Sequence, residues 1–441
     1  MEPRVAPELL ELIIDEAANV PPTLPPLSLV SRHCAFRARK YIFKRVHLGS
    51  EGESWSFPYD SGSERQLKRL EAFRGLLEAN ESLAPCVQWL DINMSCFTGP
   101  ENVEAKRNSI ESLVYVIQRL SSLSWIRIVH SSFSGGDGWD SIPKRVQDAI
   151  ADCFLRPSIR RISVVCFANF PYRLVFSSPG LQVLDLVTVR PCADTEGHDV
   201  AASTPYTGAT GLIQLDSRHS LILPTVLASP DTFSSLQTLR LALSSRDDWK
   251  AYCRILQVCC ATLLRISIVI QVKLERVDAA TEENVPDLPN VKHLELMVLF
   301  SIEWRPTHVD VSTHGISYAE SALSLHSKLL SVLESLTLKV LLSTSTFNFL
   351  NSYPILEGSA AAWTAFDEWL ASRTSGQTRV EVHFEILLLT GGDADPQDKI
   401  KVANQLVREA TALFTKTAET GHLSISAVVL TKTDYRAQYI P

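Results

Sequence analysis

The chain has 441 residues, a formal net charge of −7 and 45% hydrophobic residues, a composition that excludes wholesale disorder and leaves ample material for a core. Its 42 Lys and Arg residues are spread along the chain instead of forming a basic tail, so we do not expect nucleic acid as the main partner. The acidic start lacks the basic region of a signal peptide, and no uncharged apolar run approaches the ~20 residues that span a bilayer. We therefore expect no membrane partner and a cytoplasmic or nuclear location.

The nine cysteines include no C-x-x-C pair, and most of them lie in apolar stretches such as ISVVCF and ILQVCC. A free thiol in such a stretch behaves as a small hydrophobe. The cysteines are therefore expected to pack in the core, with neither a disulfide framework nor a zinc site.

The first predicted element is an amphipathic helix in PELLELIIDEAAN, with acidic residues on the face opposite the apolar one. Its apolar residues at helical spacing are Leu9, Leu10, Ile13, Ile14 and Ala17. Pro7 suits the first helical position, and the prolines at 21, 22, 25 and 26 end the helix.

A second apolar stripe follows in LSLVSRHCAFRARKYIFKRVHL, where positions 32 to 45 carry basic residues and no acid. The members of this stripe are Leu27, Val30, Cys34, Ala38, Tyr41 and Ile42. An acidic helix and a basic helix can pair their own charges, so a self-contained helical hairpin is the simplest interpretation. Fewer than ~50 residues seldom bury enough surface to stand alone, however, and we expect something else to cover these helices.

This region resembles the F-box family in the form abundant in higher fungi, in which P-E-L-L-x-x-I-I is followed by a leucine-rich turn and S-L-V-S-R. The matching residues are Pro7, Glu8, Leu9, Leu10, Ile13, Ile14, Leu27, Leu29, Val30, Ser31, Arg32, Cys34, Ala38, Phe43 and Val46. In that family the motif docks a Skp-type adaptor, which connects to the cullin scaffold of a ubiquitin ligase. The resemblance covers about residues 5 to 48 and implies a substrate receptor. The residues that it implies for adaptor binding are Pro7, Leu9, Leu10, Ile13, Ile14, Leu27, Leu29 and Val30.

Further along the chain, a pattern of apolar, two residues, apolar, one residue, apolar recurs eight times. The copies are Val87, Leu90, Ile92; Leu123, Ile126, Ile128; Ile159, Ile162, Val164; Leu181, Leu184, Leu186; Leu236, Leu239, Leu241; Leu263, Ile266, Ile268; Val291, Leu294, Leu296; and Leu333, Leu336, Leu338. The end of each copy has the period of two that a strand needs, and many copies follow a segment of helical period. We expect Asn108 or Ser109 to cap the helix before the second copy and Ser141 to cap the helix before the third.

A strand-plus-helix unit cannot bury its apolar face alone, so neighbouring units must stack and share a core. The sequence therefore predicts an α/β fold, with an N-terminal F-box-like helical segment followed by an irregular leucine-rich-repeat-like solenoid of parallel strands and outer helices. Such degenerate arrays commonly follow an F-box. The predicted segments are 1–49 for the helices, 50–64 for a linker, 65–395 for the array and 396–441 for a capping helix and strand, with a surface insertion at 191–211.

If the pattern residues face the core, the positions between them form a row on the open face of the sheet. That row contains Asp91, Arg127, Ser163, Asp185, Arg240, Ser267, Glu295 and Thr337. Its mixed charges suit recognition of a protein target, and we predict contacts from Asp91, Arg127, Asp185, Arg240 and Glu295. Trp89 and Trp125 flank the row, either as interface anchors or as packing at the edge of the sheet.

The usual catalytic and nucleotide-binding signatures are absent, and GGDGWD at 135–140 is best interpreted as a loop between repeats. We expect no catalytic residue, no metal and no cofactor, with an adaptor, a cullin reached through it and an unidentified target protein as partners. The main alternative is a non-catalytic scaffold or ligand-binding repeat protein whose N-terminal helices only cap the solenoid. A hydrolase with a triad assembled in space is a third class, because motif searches do not detect such triads.

Overall fold

The computed structural model describes residues 6–18, 20–48, 62–97, 103–130, 138–190, 211–217, 230–270, 285–305, 308–311, 332–344, 355–374, 380–390, 395–420 and 422–431, with five isolated positions between 316 and 323. The chain divides into two compact units. Unit 1 consists of Met1–Glu53, Phe57–Asp185 and Val189–Ala209. Unit 2 consists of Ser54–Ser56, Leu186–Thr188 and Thr210–Pro441.

Unit 1 contains the N-terminal helices and the first repeats. Its α-helices are α1 (Pro7–Ala17), α2 (Leu24–Ser28), α3 (Arg32–Ile42), α4 (Gly62–Ala79), α5 (Val103–Arg119), α6 (Lys144–Phe154) and α7 (Tyr172–Phe176). Its strands are β1 (Arg45–His47), β2 (Trp89–Asn93), β3 (Trp125–Val129), β4 (Arg161–Val165) and β5 (Val183–Val187), the last two residues of β5 being assigned to unit 2. These strands follow chain order, and β1 to β4 pair in parallel.

Unit 2 continues with the same two kinds of element. Its strands are β6 (Gln214–Ser217), β7 (Thr238–Leu243), β8 (Arg265–Ile270), β9 (His293–Arg305), β10 (His308–Val311), β11 (Ser335–Thr344), β12 (Glu381–Thr390) and β13 (Leu423–Thr431). Its described helices of at least five residues are α8 (Arg246–Cys259), α9 (Ala360–Thr374), α10 (Pro396–Leu413) and α11 (Thr415–Glu419). Neighbouring strands pair in parallel in the order β6, β7, β8, β9, β11, β12, β13, and β10 returns antiparallel to β9.

The recurring apolar pattern accounts for the core in both units. All twenty-four residues of the eight copies are buried, with at most 3% of any residue exposed. The second and third residues of each copy lie two positions apart on a strand and therefore share one face of the sheet. The prediction of an α/β fold with parallel strands and helices is confirmed.

Two strands of the parallel sheets were not predicted. Strand β1 is only three residues long and lies among basic residues. At β6, Leu212 and Leu215 fill the first two pattern positions, but the polar Ser217 stands at the third. Strand β6 comes directly after the predicted insertion, whose residues 191–210 lie outside the described residues.

Both predicted helix caps are wrong. Helix α5 begins at Val103, which places Asn108 and Ser109 inside the helix. Helix α6 begins at Lys144 after Pro143, and the Ser141 hydroxyl instead donates to the Gly138 carbonyl at 2.7 Å. In both cases a polar residue near a helix start resembles a cap in the sequence, although the helix begins elsewhere.

The two compact units divide the chain near residue 186, within the predicted array, so they do not test the predicted segment boundaries. Helix α4 begins at Gly62, so the last three residues of the predicted linker are helical, whereas residues 49–61 lie outside the described residues. Helices α10 and α11 occupy the predicted capping helix, and β13 is the predicted last strand. Strand β13 is paired along its length with β12 and therefore belongs to the sheet of unit 2.

Candidate functional site

The three N-terminal helices have a small core of their own. Ile14, Leu24, Cys34 and Ala38 are buried in it, with at most 3% of each residue exposed. The partly buried residues that pack against these four are Leu10, Ala17, Leu27, Tyr41 and Ile42. Ser31, part of the S-L-V-S-R match, starts α3, since its hydroxyl accepts a hydrogen bond from the Cys34 amide at 3.1 Å. Some of the residues that resemble an F-box therefore stabilise the fold of the N-terminal helices themselves.

Charged side chains join α1 to α3, as the opposite charges of the two helices predict. The Arg37 guanidinium donates to both oxygens of the Asp15 carboxylate at 2.9 and 2.6 Å, and the Tyr41 hydroxyl donates to the same carboxylate at 2.8 Å. These hydrogen bonds lower the pKa of Asp15 to about 2. Glu11 lies 3.4 Å from Arg37 and 3.2 Å from His33. We call this group the Asp15 clamp.

A second set of apolar residues on these helices faces away from the small core. The outer apolar residues, as we call them, are Leu9, Leu12, Ile13, Leu29, Val30 and Phe36, between 50% and 86% exposed. Leu12 and Ile13 lie three and four positions after Leu9, so the three form one stripe on α1. This stripe lies beside Leu10, Ile14 and Ala17, which pack in the small core.

This arrangement divides the predicted adaptor-binding residues into two groups. Leu9, Ile13, Leu29 and Val30 are exposed, while Leu10 and Leu27 are partly buried against the small core. Pro7 begins α1 as predicted, although its side chain lies outside the described residues. Ile14 is 1% exposed, so the prediction that it contacts a partner is corrected: its side chain holds the helices together. Leu12 and Phe36 are exposed residues that the sequence analysis missed, although the spacing of Leu12 from Leu9 signals a shared face.

The end of the N-terminal segment is built into the repeat sheet. Strand β1 follows α3 closely and pairs in parallel with β2, with Val46 opposite Leu90. The amides of Gln88 and Trp89 donate to the Lys44 carbonyl at 3.0 and 2.9 Å, and the Leu48 amide donates to the Asp91 carbonyl at 2.8 Å. Backbone hydrogen bonds therefore fix the end of the helical segment to the first repeat.

The predicted row on the open face exists in each unit as a line of register partners. In unit 1, His47, Asp91, Arg127 and Ser163 are successive partners on β1 to β4. Unit 2 has a corresponding line of register partners with one residue on each of six strands. These residues are Asp216 on β6, Arg240 on β7, Ser267 on β8, Glu295 on β9, Thr337 on β11 and His383 on β12. The strand register brings together side chains that are far apart in the sequence.

Most charges in the row already have partners within the protein. In unit 1, Asp91 lies 3.7 Å from Arg127, and Asp185 receives two contacts from Arg161 at 2.8 and 2.7 Å. Asp185 is 2% exposed, so its predicted contact with a target is corrected: the carboxylate is enclosed and bound by Arg161.

The row in unit 2 is paired in the same manner. Arg240 lies 3.5 Å from the buried Asp216. Glu295 accepts a hydrogen bond from Ser267 at 3.0 Å and lies 3.7 Å from Lys339, which is 3.2 Å from Glu385. Arg240 and Glu295 keep 31% and 15% of their side-chain surface exposed, so they stay candidates for target contacts.

Beyond this row, the same face of the unit 2 strands becomes apolar and buried. The residues of this second cluster are Ala242, Val269, Met297, Leu341, Leu387, Leu389 and Leu430. Ala242, Val269 and Met297 follow Arg240, Ser267 and Glu295 by two positions, which places them on the same face. The open face is therefore polar only at the beginning of these strands, a limit that the triplet pattern did not predict.

Trp89 and Trp125 are register partners on β2 and β3, and their rings stack with centroids 4.0 Å apart and planes 3° apart. Both side chains are partly exposed. Arg45 lies over the outer face of Trp89 at 4.5 Å, and Arg161 lies over the outer face of Trp125 at 4.0 Å. The two predicted anchors are therefore the middle of a four-residue stack.

The described residues contain no group of three or more His, Cys, Asp or Glu side chains placed to hold a metal ion. Within the same residues, no helix combines the length and the apolar character needed to cross a bilayer. The eight described cysteines are free, and burial raises the pKa of Cys153 to about 11 and that of Cys259 to about 12.

A scan against protein-family models finds no match, and a search of curated proteins finds no significant match.

Proposed function

We propose that this protein is a substrate-recognition subunit of a cullin-based ubiquitin ligase. The N-terminal helices bind a Skp-type adaptor, and the repeat array presents a protein target. The proposal assigns no catalytic step and no cofactor to this chain, because the covalent chemistry belongs to other subunits. We propose the cytoplasm or nucleus as its location.

The observation that carries the proposal is the exposure of the outer apolar residues. Leu9, Leu12 and Ile13 are 50–60% exposed on a helix whose neighbouring stripe is already buried in its own core. A single exposed leucine is ordinary in a folded protein. An apolar stripe on α1, together with exposed Leu29 and Val30 between α2 and α3, favours a protein partner. The resemblance of these same residues to an F-box favours a Skp-type adaptor as that partner.

The connection through β1 supports the second half of the proposal. Because β1 is hydrogen-bonded to β2, an adaptor bound to the helices is held in a fixed relation to the first repeats of unit 1. A ligase receptor needs such rigidity, since the target must be presented to an enzyme bound elsewhere on the complex.

The same connection also favours the alternative function. In a scaffold or ligand-binding repeat protein, the helices and β1 would only close the end of the sheet. That alternative predicts no adaptor complex, and it leaves the exposed apolar stripe without a role.

The test is co-expression of the full chain with a Skp-type adaptor, followed by affinity capture and size-exclusion chromatography. We expect a stable complex with the natural sequence and its loss in the double variant Leu9→Asp and Ile13→Asp, since two carboxylates replace exposed apolar contacts. Leu155→Asp is the matched control, because Leu155 is 49% exposed after α6 and is expected to leave the complex intact.

Thermal unfolding of the free variants separates binding from folding. Both changed residues of the double variant are exposed, so its unfolding temperature should stay close to that of the natural sequence. Absence of any complex with the natural sequence, or an undiminished complex with the double variant, rejects the adaptor-binding proposal.

A further inference from the structure

The most unusual surface feature of unit 1 is a stack that runs across four strands. Arg45, Trp89, Trp125 and Arg161 occupy the same register position on β1, β2, β3 and β4. Neighbouring strands lie ~4.8 Å apart, which is close to the spacing of stacked planar groups, so the sheet itself holds these side chains face to face. We call these four residues the Arg–Trp ladder.

The ladder leaves a particular chemistry exposed. An aromatic ring is electron-rich on its faces and electron-poor at its edges. In the ladder the outer faces of both indoles are covered by guanidinium groups, and the inner faces cover each other. The rings therefore present only their positive edges to a partner, flanked by two cations. Together these groups favour an anion that can also make apolar contact.

The neighbouring charges single out Arg45. His47 and Arg127 in the next row both contact Asp91, at 3.3 and 3.7 Å, and Arg161 is bound to Asp185 at 2.7 Å. Arg45 is exposed, and its guanidinium lies over the Trp89 ring. We therefore expect an anion to bind beside Arg45.

We propose that the Arg–Trp ladder docks an acidic peptide segment, with a carboxylate near Arg45 and an apolar side chain across the indole edges. The inference rests on the proposed function in one respect, namely that the segment belongs to the protein target of the ligase. Peptide is favoured over nucleic acid because the ladder offers few cations and has Asp91 in the adjacent row, where a run of phosphates would meet repulsion.

The experiment pans a phage-displayed library of random dodecapeptides against the full chain and then measures the affinity of the enriched peptides by fluorescence anisotropy. We expect the enriched sequences to share Asp or Glu next to an aromatic or aliphatic residue. The Arg45→Glu variant should weaken their binding by about tenfold or more, with a similar effect for Trp125→Ala. Arg107→Glu, at an exposed position of α5, is the matched control and should bind as the natural sequence does.

Trp125→Ala removes a partly buried ring and can disturb folding, whereas Arg45 is exposed and its replacement tests the ladder without a cavity. The proposal is overturned if no peptide is enriched, if the enriched peptides lack carboxylates, or if Arg45→Glu binds them with unchanged affinity. Preferential binding of a single-stranded oligonucleotide used as competitor also overturns it. Adaptor capture with the Arg45→Glu variant keeps the two proposals apart, since failure of peptide binding leaves adaptor binding intact and failure of adaptor binding leaves the peptide result standing.

Discussion

The N-terminal helices and the repeat strands of unit 1 are built from similar aliphatic residues but bury them to different extents. In the strands, every residue of the recurring pattern is buried, because each inner strand has a neighbour on both sides and helices on one face. In the helices, one stripe of α1 is buried and the adjacent stripe is exposed. An apolar pattern therefore shows which face of an element avoids water. Whether the chain itself covers that face depends on how many neighbouring elements pack against it.

The largest expected effect tests this difference in burial. Ile162 in β4 is fully buried, and Ile162→Ala should lower the free energy of unfolding by ~2–5 kcal/mol, because apolar contacts are lost and a cavity is left behind. Leu9→Ala, at a position 54% exposed, should change it by less than ~0.5 kcal/mol. Urea denaturation followed by circular dichroism measures both, and equal losses would remove the distinction between the two regions.

The sequence predicted the repeating part well because its signal is local. Many copies follow a segment of helical period and end in a short strand, and stacking the copies is enough to give parallel strands. Strand β6 was not predicted because Ser217 stands where the pattern requires an apolar residue. Strand β1 was not predicted because three residues are too few to show a period of two.

The site was predicted less completely, since it depends on contacts between distant residues. Ile13 and Ile14 are the same residue type and are adjacent in the sequence, but they lie on different faces of α1. Ile13 is therefore exposed, whereas Ile14 is buried. The positions of Arg45 and Arg161 beside the tryptophans follow from strand register, which requires knowing that β1 pairs with β2. Likewise, the burial of Asp185 becomes visible only when Arg161 is placed beside it.

The smallest expected effect sharpens the comparison at the Asp15 clamp, which supports the helices where the small core is limited. Because folding lowers the pKa of Asp15 from its ordinary value to about 2, its contribution to stability is complete above the unfolded pKa of ~3.9 and is lost as the pH falls toward about 2. The Asp15→Asn variant should therefore show faster amide exchange in α1 than the natural sequence at pH 6, with the difference vanishing near pH 2. A difference that persists unchanged at low pH would assign the effect to packing and not to the carboxylate charge.

The most direct test of the central claim is hydroxyl-radical footprinting of the full chain, alone and with a Skp-type adaptor, read out by mass spectrometry. The account predicts that Leu9, Leu12, Ile13 and Leu29 are labelled in the free chain and protected in the complex, with Leu155 labelled equally in both. Equal labelling of the outer apolar residues with and without the adaptor would contradict the claim that these helices bind it.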